Sequence, residues 1–187
     1  MAKTPAAKPT PPKRRAAPAA PRQRTVRKPD AVALLKEDHR AVEAKFERYE
    51  KIRERADDAR KAALVAEICA ALKLHTAIEE AVFYPAARAV MEDQDLLDEA
   101  DVEHASAKEL IAQLEAGSPA DDHYDAKVKV LGEYVKHHVK EEERELFKEA
   151  RKAGMDMRAV GDELRAARAE REPPRSRGRG AEQPLRG

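Results

Sequence analysis

The sequence predicts an all-α protein: an up-down-up-down antiparallel four-helix bundle with a short fifth helix, flanked by disordered basic tails. Three observations lead there. Apolar residues between positions 30 and 170 recur at alternating steps of three and four, the spacing of one helix face. Cap and turn residues cut that stretch into helix-length pieces joined by short links. Aromatic residues make up only 4% of the chain and Trp is absent, lean for a β-sandwich and ordinary for a bundle.

The first helix starts at Asp30, a good N-cap following Pro29, and its stripe is Val32, Leu35, Val42, Phe46 and Tyr49. Asp57 and Asp58 offer a turn and a fresh N-cap. The second stripe is Leu64, Ile68, Leu72, Val82 and Phe83, and Pro85 is expected to kink or end the helix within a turn. MEDQD is the next polar break. Leu97, Ala100, Ala107, Ile111 and Leu114 form the third stripe, ended by Gly117-Ser118-Pro119. Val128, Leu131, Val135 and Leu146 form the fourth, stopped near Gly154. A fifth amphipathic piece runs from about Asp156 to Glu170. It either caps the bundle or meets a second copy of the chain; oligomeric state is not readable.

Charge is unevenly spread. Residues 1–29 carry nine Lys/Arg and no acid; residues 171–187 carry five Arg and two acids; residues 30–170 carry a net charge of −11. The first and last segments are Pro/Arg-rich low complexity with little to bury, so both are expected to be disordered. The 1–29 arm has two readings: a solubilising tail, or a sequence-nonspecific nucleic-acid arm, since it lacks aromatics for base stacking. No apolar run approaches the ~18 residues of a spanning helix, so no membrane partner is expected. Cys69 is the lone cysteine, which excludes a disulfide framework and a Cys-rich metal site and fits a reducing, cytoplasmic setting. Its expected role is a small core hydrophobe.

Polar residues then turn up inside the apolar stripes. HTAIEEAVFYP, residues 75–85, and HHVKEEERELF, residues 137–147, each place a His and a Glu one helical turn apart. Ile68, Leu72, His75, Glu79 and Val82 continue one stripe, as do Val128, Leu131, Val135, His138 and Glu142. His39 interrupts the first stripe and His104 the third. His137 lies off its stripe and His123 near a helix start, so neither is included. Height along the bundle is a separate test. The midpoint of His39 and His75 is Asp57, that of His104 and His138 is Asp121, and that of Glu79 and His104 is Met91-Glu92. Each falls at an expected turn, which puts all six residues in one layer.

Four imidazoles and two carboxylates in an apolar layer need a partner, because an unpaired buried carboxylate costs several kcal/mol. These groups are the usual ligand set of non-haem iron, and six are too many for one tetrahedral zinc. Two metals bridged by the carboxylates, about 3.5 Å apart, leave open positions for water, oxygen or peroxide. The acids beside these residues (Asp38, Glu80, Glu103 and Glu143) are most simply solvated neighbours, with outer-ligand roles as the alternative. Tyr134, one turn before His138, reads as a core tyrosine at the edge.

The order His39, His75-x-x-x-Glu79, His104, His138-x-x-x-Glu142 resembles the hemerythrin-like, or HHE cation-binding, family. So do the EEAVFYP and EEERELF endings and GMDMRAVGDELRAARAE. The resemblance covers residues 30–170, about three quarters of the chain. It implies a bundle holding two non-haem iron ions, carboxylate- and oxo- or hydroxo-bridged, with His39, His75, Glu79, His104, His138 and Glu142 as ligands. Two departures from the oxygen-carrier pattern point to the bacterial non-transport branch. Lys108 stands where carriers have a second histidine, and Glu142 stands four residues after His138 where carriers have an Asp five on. The function this implies is binding or reaction with O2, hydrogen peroxide or nitric oxide, in oxidative-stress defence or sensing, with catalase-like peroxide removal as an enzymatic form. The alternatives are iron sequestration or sensing without turnover, and a metal-free helical interaction module with a nucleic-acid arm.

Overall fold

The computed structural model describes residues 28–172. The expectations for the basic arm and the C-terminal tail fall almost wholly outside them.

Every element among the described residues is helical. Helix α1 spans Ala31–Ile52, and Asp30 caps it by accepting from the Ala33 N–H at 2.9 Å. Helix α2 spans Asp58–Ile78, capped by Asp57 accepting from the Arg60 N–H at 2.8 Å. It runs on through one π-helical turn, π1 (Glu79–Phe83), into α3 (Tyr84–Arg88). Pro85 sits in the first turn of α3, where its missing N–H costs least. The rod stops one turn later, as its sequence implies. Helix α4 spans Asp95–Ala116 and ends on Gly117. Helix α5 (Tyr124–Glu141) continues through a second π turn, π2 (Glu142–Leu146), into α6 (Phe147–Lys152). Gly154, at φ +91°, closes that rod in the left-handed conformation that an L side chain resists. Helix α7 spans Met157–Arg171 and starts on Asp156, which accepts from two backbone N–H groups.

Four long rods thus pack as two hairpins, α1 with α2 and α4 with α5, and α7 lies across α1 and π1. That placement makes the fifth helix a cap on one end of the bundle. Gly161 permits it, because a Cβ there would come within 2.8 Å of the Ala31 backbone nitrogen.

The core is split in two. One cluster includes Leu35, Phe83, Leu97, Leu146 and Leu164; the other includes Val42, Leu72, Ile111, Leu131 and Val135. Between them lies a polar layer. His39 separates Leu35 from Val42 along α1, and His104 separates Ala100 from Ala107 along α4, each pair divided between the two clusters. No described helix is long and apolar enough to cross a membrane.

Candidate metal centre

The six residues picked out by stripe and height meet in that layer. His39, His75, Glu79, His104, His138 and Glu142 are all at least nine-tenths buried, and Glu79 is wholly so. The histidines face each other in pairs. His39 Nε2 lies 3.1 Å from His75 Nε2, and His104 Nε2 lies 3.2 Å from His138 Nε2. Each glutamate reaches one histidine of both pairs through Oε2. Glu79 lies 3.1 Å from His75 and 3.6 Å from His104; Glu142 lies 3.2 Å from His39 and 3.6 Å from His138. His39, His75, Glu79 and Glu142 form one group able to hold a metal ion, and Glu79, His104 and His138 form another.

What fixes the rings is a ring of four outer carboxylates. His39 Nδ1–H donates to Glu143 at 3.0 Å, His75 to Asp38 at 3.4 Å, His104 to Glu80 at 2.9 Å and His138 to Glu103 at 2.8 Å. The arrangement repeats between the two hairpins. Each second-position histidine is held by the acid preceding the first, and each first-position histidine by the acid following a buried Glu. Reading these four acids as solvated neighbours is therefore wrong. The helices are close enough for each to cross to a ring on the next rod. Three are held in turn by cations: Glu143 by Lys36 at 2.8 Å, Glu80 by Lys108 at 2.6 Å, and Asp38 by Arg168 of α7. Lys108 thus restrains a carboxylate behind His104. Glu103 instead has His137 at 3.8 Å, an exposed residue that also pairs with Glu141 at 3.2 Å.

Carboxylates on all four Nδ1 atoms place a ring proton there, so each ring in its neutral form turns the Nε2 lone pair inward. Two lone pairs about 3 Å apart repel unless something positive lies between them. The buried oxygens give the same message. Glu79 Oε1 and Oε2 and Glu142 Oε2 have no hydrogen-bond partner, although nothing polar should be buried so. In the protein alone, burial and the neighbouring Glu142 charge push Glu79 well above the usual carboxylate range. Burial works against charge on Glu142 too, but the histidines around it prevail and hold it at about 2. Burial and the proximity of His138 bring His104 down to about 4, and burial lowers His75; at His138 burial is outweighed by Glu142 and Glu103, which raise it, so that ring must give up a proton when a metal binds. Neutral imidazoles are the form that binds metal. Orphaned oxygens, opposed lone pairs and an N/O donor set all fit a pair of cations.

Sequence reasoning missed Tyr84. Its phenol is buried, donates to Glu142 Oε1 at 3.1 Å and lies 3.1 Å from His104 Nε2. Burial and the two glutamates keep it protonated. The π turn brings it there: Tyr84 N–H reaches back five residues to the Glu79 carbonyl, adding a residue to that turn. Phe83 and Tyr84 then face inward while Val82 is only partly buried. Tyr134 also departs from its expected place. It is half exposed, at the mouth of a cavity leading to the histidines. Cys69 is fully buried and burial pushes its thiol up to about 11, in keeping with a core hydrophobe.

The family model for the hemerythrin HHE cation binding domain matches residues 30–150. The chain belongs to the hemerythrin HHE cation-binding family. Among solved structures, the crystal structure of a hemerythrin HHE cation binding domain-containing protein from Mycobacterium kansasii shares the fold. Its TM-score is 0.63 at 22% identity, covering 76% of this chain and 87% of that one. No curated protein matches. Helix α7, with Arg168, lies beyond the segment that the HHE family model matches.

Proposed function

We propose that this HHE domain is a non-haem di-iron protein that binds or reacts with a small oxidant: O2, hydrogen peroxide or nitric oxide. The observation that carries the reading is the trio of orphaned oxygens on Glu79 and Glu142, set between two pairs of inward imidazole lone pairs. His39 and His75 would hold one ion and His104 and His138 the other, with both glutamates shared. Bound there, iron supplies redox electrons and open coordination positions.

The chain's own groups do the rest. The outer carboxylates lock each ring with Nε2 inward, so little reorganisation accompanies binding. Tyr84 holds a proton at Oη beside Glu142 Oε1, among the described residues the one proton donor inside the layer that is not a proposed ligand. The two apolar clusters flank the layer, and the cavity on the Val42 side is an apolar-walled opening from it toward solvent. A cavity reaching all four histidines favours a reacting centre over a sealed iron store.

The test is an optical spectrum of the anaerobically iron-reconstituted protein before and after each oxidant. Charge-transfer absorption that changes with at least one of the three, and is lost in His75→Ala, is expected. An iron-loaded protein inert to all three would leave sequestration as the better reading.

A further inference from the structure

The cavity above the histidines is far larger than the oxidants just named. It encloses about 360 Å³, whereas a water molecule, similar in size to those oxidants, occupies ~30 Å³ in the liquid. Its volume is that of pockets which hold organic ligands. Val42, Leu72, Ala107, Val135 and Val139 wall it, from four different helices, and the four histidines line its inner end. Its two hydroxyl-bearing aliphatic residues are spent on their own helices: Ser106 donates to the Val102 carbonyl at 3.0 Å and Thr76 to the Lys73 carbonyl at 3.4 Å. Water filling such a space finds few partners along the walls. The mouth is mixed: Glu103 and the exposed His137 lie at it beside two large apolar residues. Val102 and Tyr134 are 67% and 50% exposed, two of the four large hydrophobics exposed among the described residues.

We propose that this cavity binds an uncharged organic molecule of about ten non-hydrogen atoms, apolar except for one oxygen-bearing end turned to the histidine floor. The chemical class is an organic hydroperoxide or the alcohol corresponding to it. The apolar group lies against Val42, Leu72 and Val135, and the oxygen-bearing end meets the only polar groups at the cavity's inner end. This rests on the di-iron reading for what the oxygen meets; the apolar walls stand without it.

The experiment uses 2-phenylpropan-2-ol, an unreactive alcohol, and tert-butylbenzene, its near-isostere with methyl in place of hydroxyl. Each is titrated into the full chain, iron-loaded and metal-free, and followed by the methyl NMR signals of Val42, Val135 and Val139. Saturable binding of one alcohol per chain is expected, shifting these methyls. Affinity should fall at least tenfold in Val102→Trp and in Ser106→Trp, two changes at the mouth that leave the helical circular dichroism unchanged. The hydrocarbon should bind the iron-loaded chain several-fold more weakly than the alcohol. Absence of saturable binding, or equal binding in both folded variants, overturns the cavity assignment; equal affinity of alcohol and hydrocarbon overturns the oriented oxygen. Failure of the di-iron reading looks different: iron is not retained, while the metal-free chain still binds the alcohol.

Discussion

At the scale of the residue, Glu79 is placed for metal and against stability. Its two oxygens are buried without partners, a cost of several kcal/mol that a bound cation removes. Glu79→Gln should therefore separate function from fold. The metal-free variant is expected to be more stable than the metal-free parent, by ~1–3 kcal/mol in urea unfolding, while its iron content falls. A variant that loses stability without metal would mean that Glu79 is held by the protein alone. The outer carboxylates make the opposite contribution. Hydrogen bonds outweigh burial at these acids, from His75 and Arg168 at Asp38, Lys108 and His104 at Glu80, and Lys36 and His39 at Glu143, so all three sit below the usual carboxylate range when folded. A lowered carboxylate pKa stabilises the fold above the unfolded value, and that stability is lost as pH falls through the folded one. Unfolding of the metal-free chain should thus become easier as pH drops below about 4.5, with a shallower dependence in Glu80→Gln and Glu143→Gln. The same substitutions should weaken metal binding by roughly ten- to a hundredfold, read by competition with a chelator. Unchanged affinity would mean that these hydrogen bonds do not contribute to metal binding.

At the scale of the element, the two π turns and α7 decide what the stripes alone do not. An extra residue in a turn rotates everything after it by about 100°. That rotation brings Tyr84 under Glu142, and no composition signals it. Pro85 makes a looser turn cheap on one rod, since its N–H is missing anyway. The second rod has no such residue, and its π turn is visible only in the backbone. Helix α7 lies outside the matched family segment yet touches the centre at one remove, through Arg168, Asp38 and His75. Arg168→Ala is expected to lower metal affinity with little loss of helical content. Gly161→Ala puts a Cβ against the backbone at the start of α1. It should destabilise the chain by ~1–3 kcal/mol and weaken metal binding alongside, measured by urea unfolding and chelator competition. An Ala variant as stable as the parent would mean that α7 sits less tightly than described.

For the whole molecule, one polar layer divides two apolar clusters, and that plan was largely legible in the chain. Facing could be read because His39, His75, His104 and His138 each stand where an apolar residue is due. Height could be read because Asp57 and Gly117 mark the turns. The same logic separated His138 and Glu142 from the adjacent pair His137 and Glu141, which lies at the surface. What escaped depends on side chains crossing between rods: Glu80 to His104, Glu143 to His39, Tyr84 to Glu142. Spacing along one helix carries no information about which rotamer reaches the next. The charge asymmetry is a separate whole-chain feature. With nine basic residues and no acid, residues 1–29 are proposed to hold nucleic acid without sequence preference. Deleting them should weaken DNA binding at low salt at least tenfold; equal affinity would remove that role. Two metal ions in the layer would answer its unpartnered oxygens, and the iron-to-chain ratio after anaerobic reconstitution and desalting decides whether they are held. Two irons per chain, falling toward zero in Glu79→Gln/Glu142→Gln while the helical signal persists, is the predicted result; less than half an iron per chain in the parent protein would contradict it.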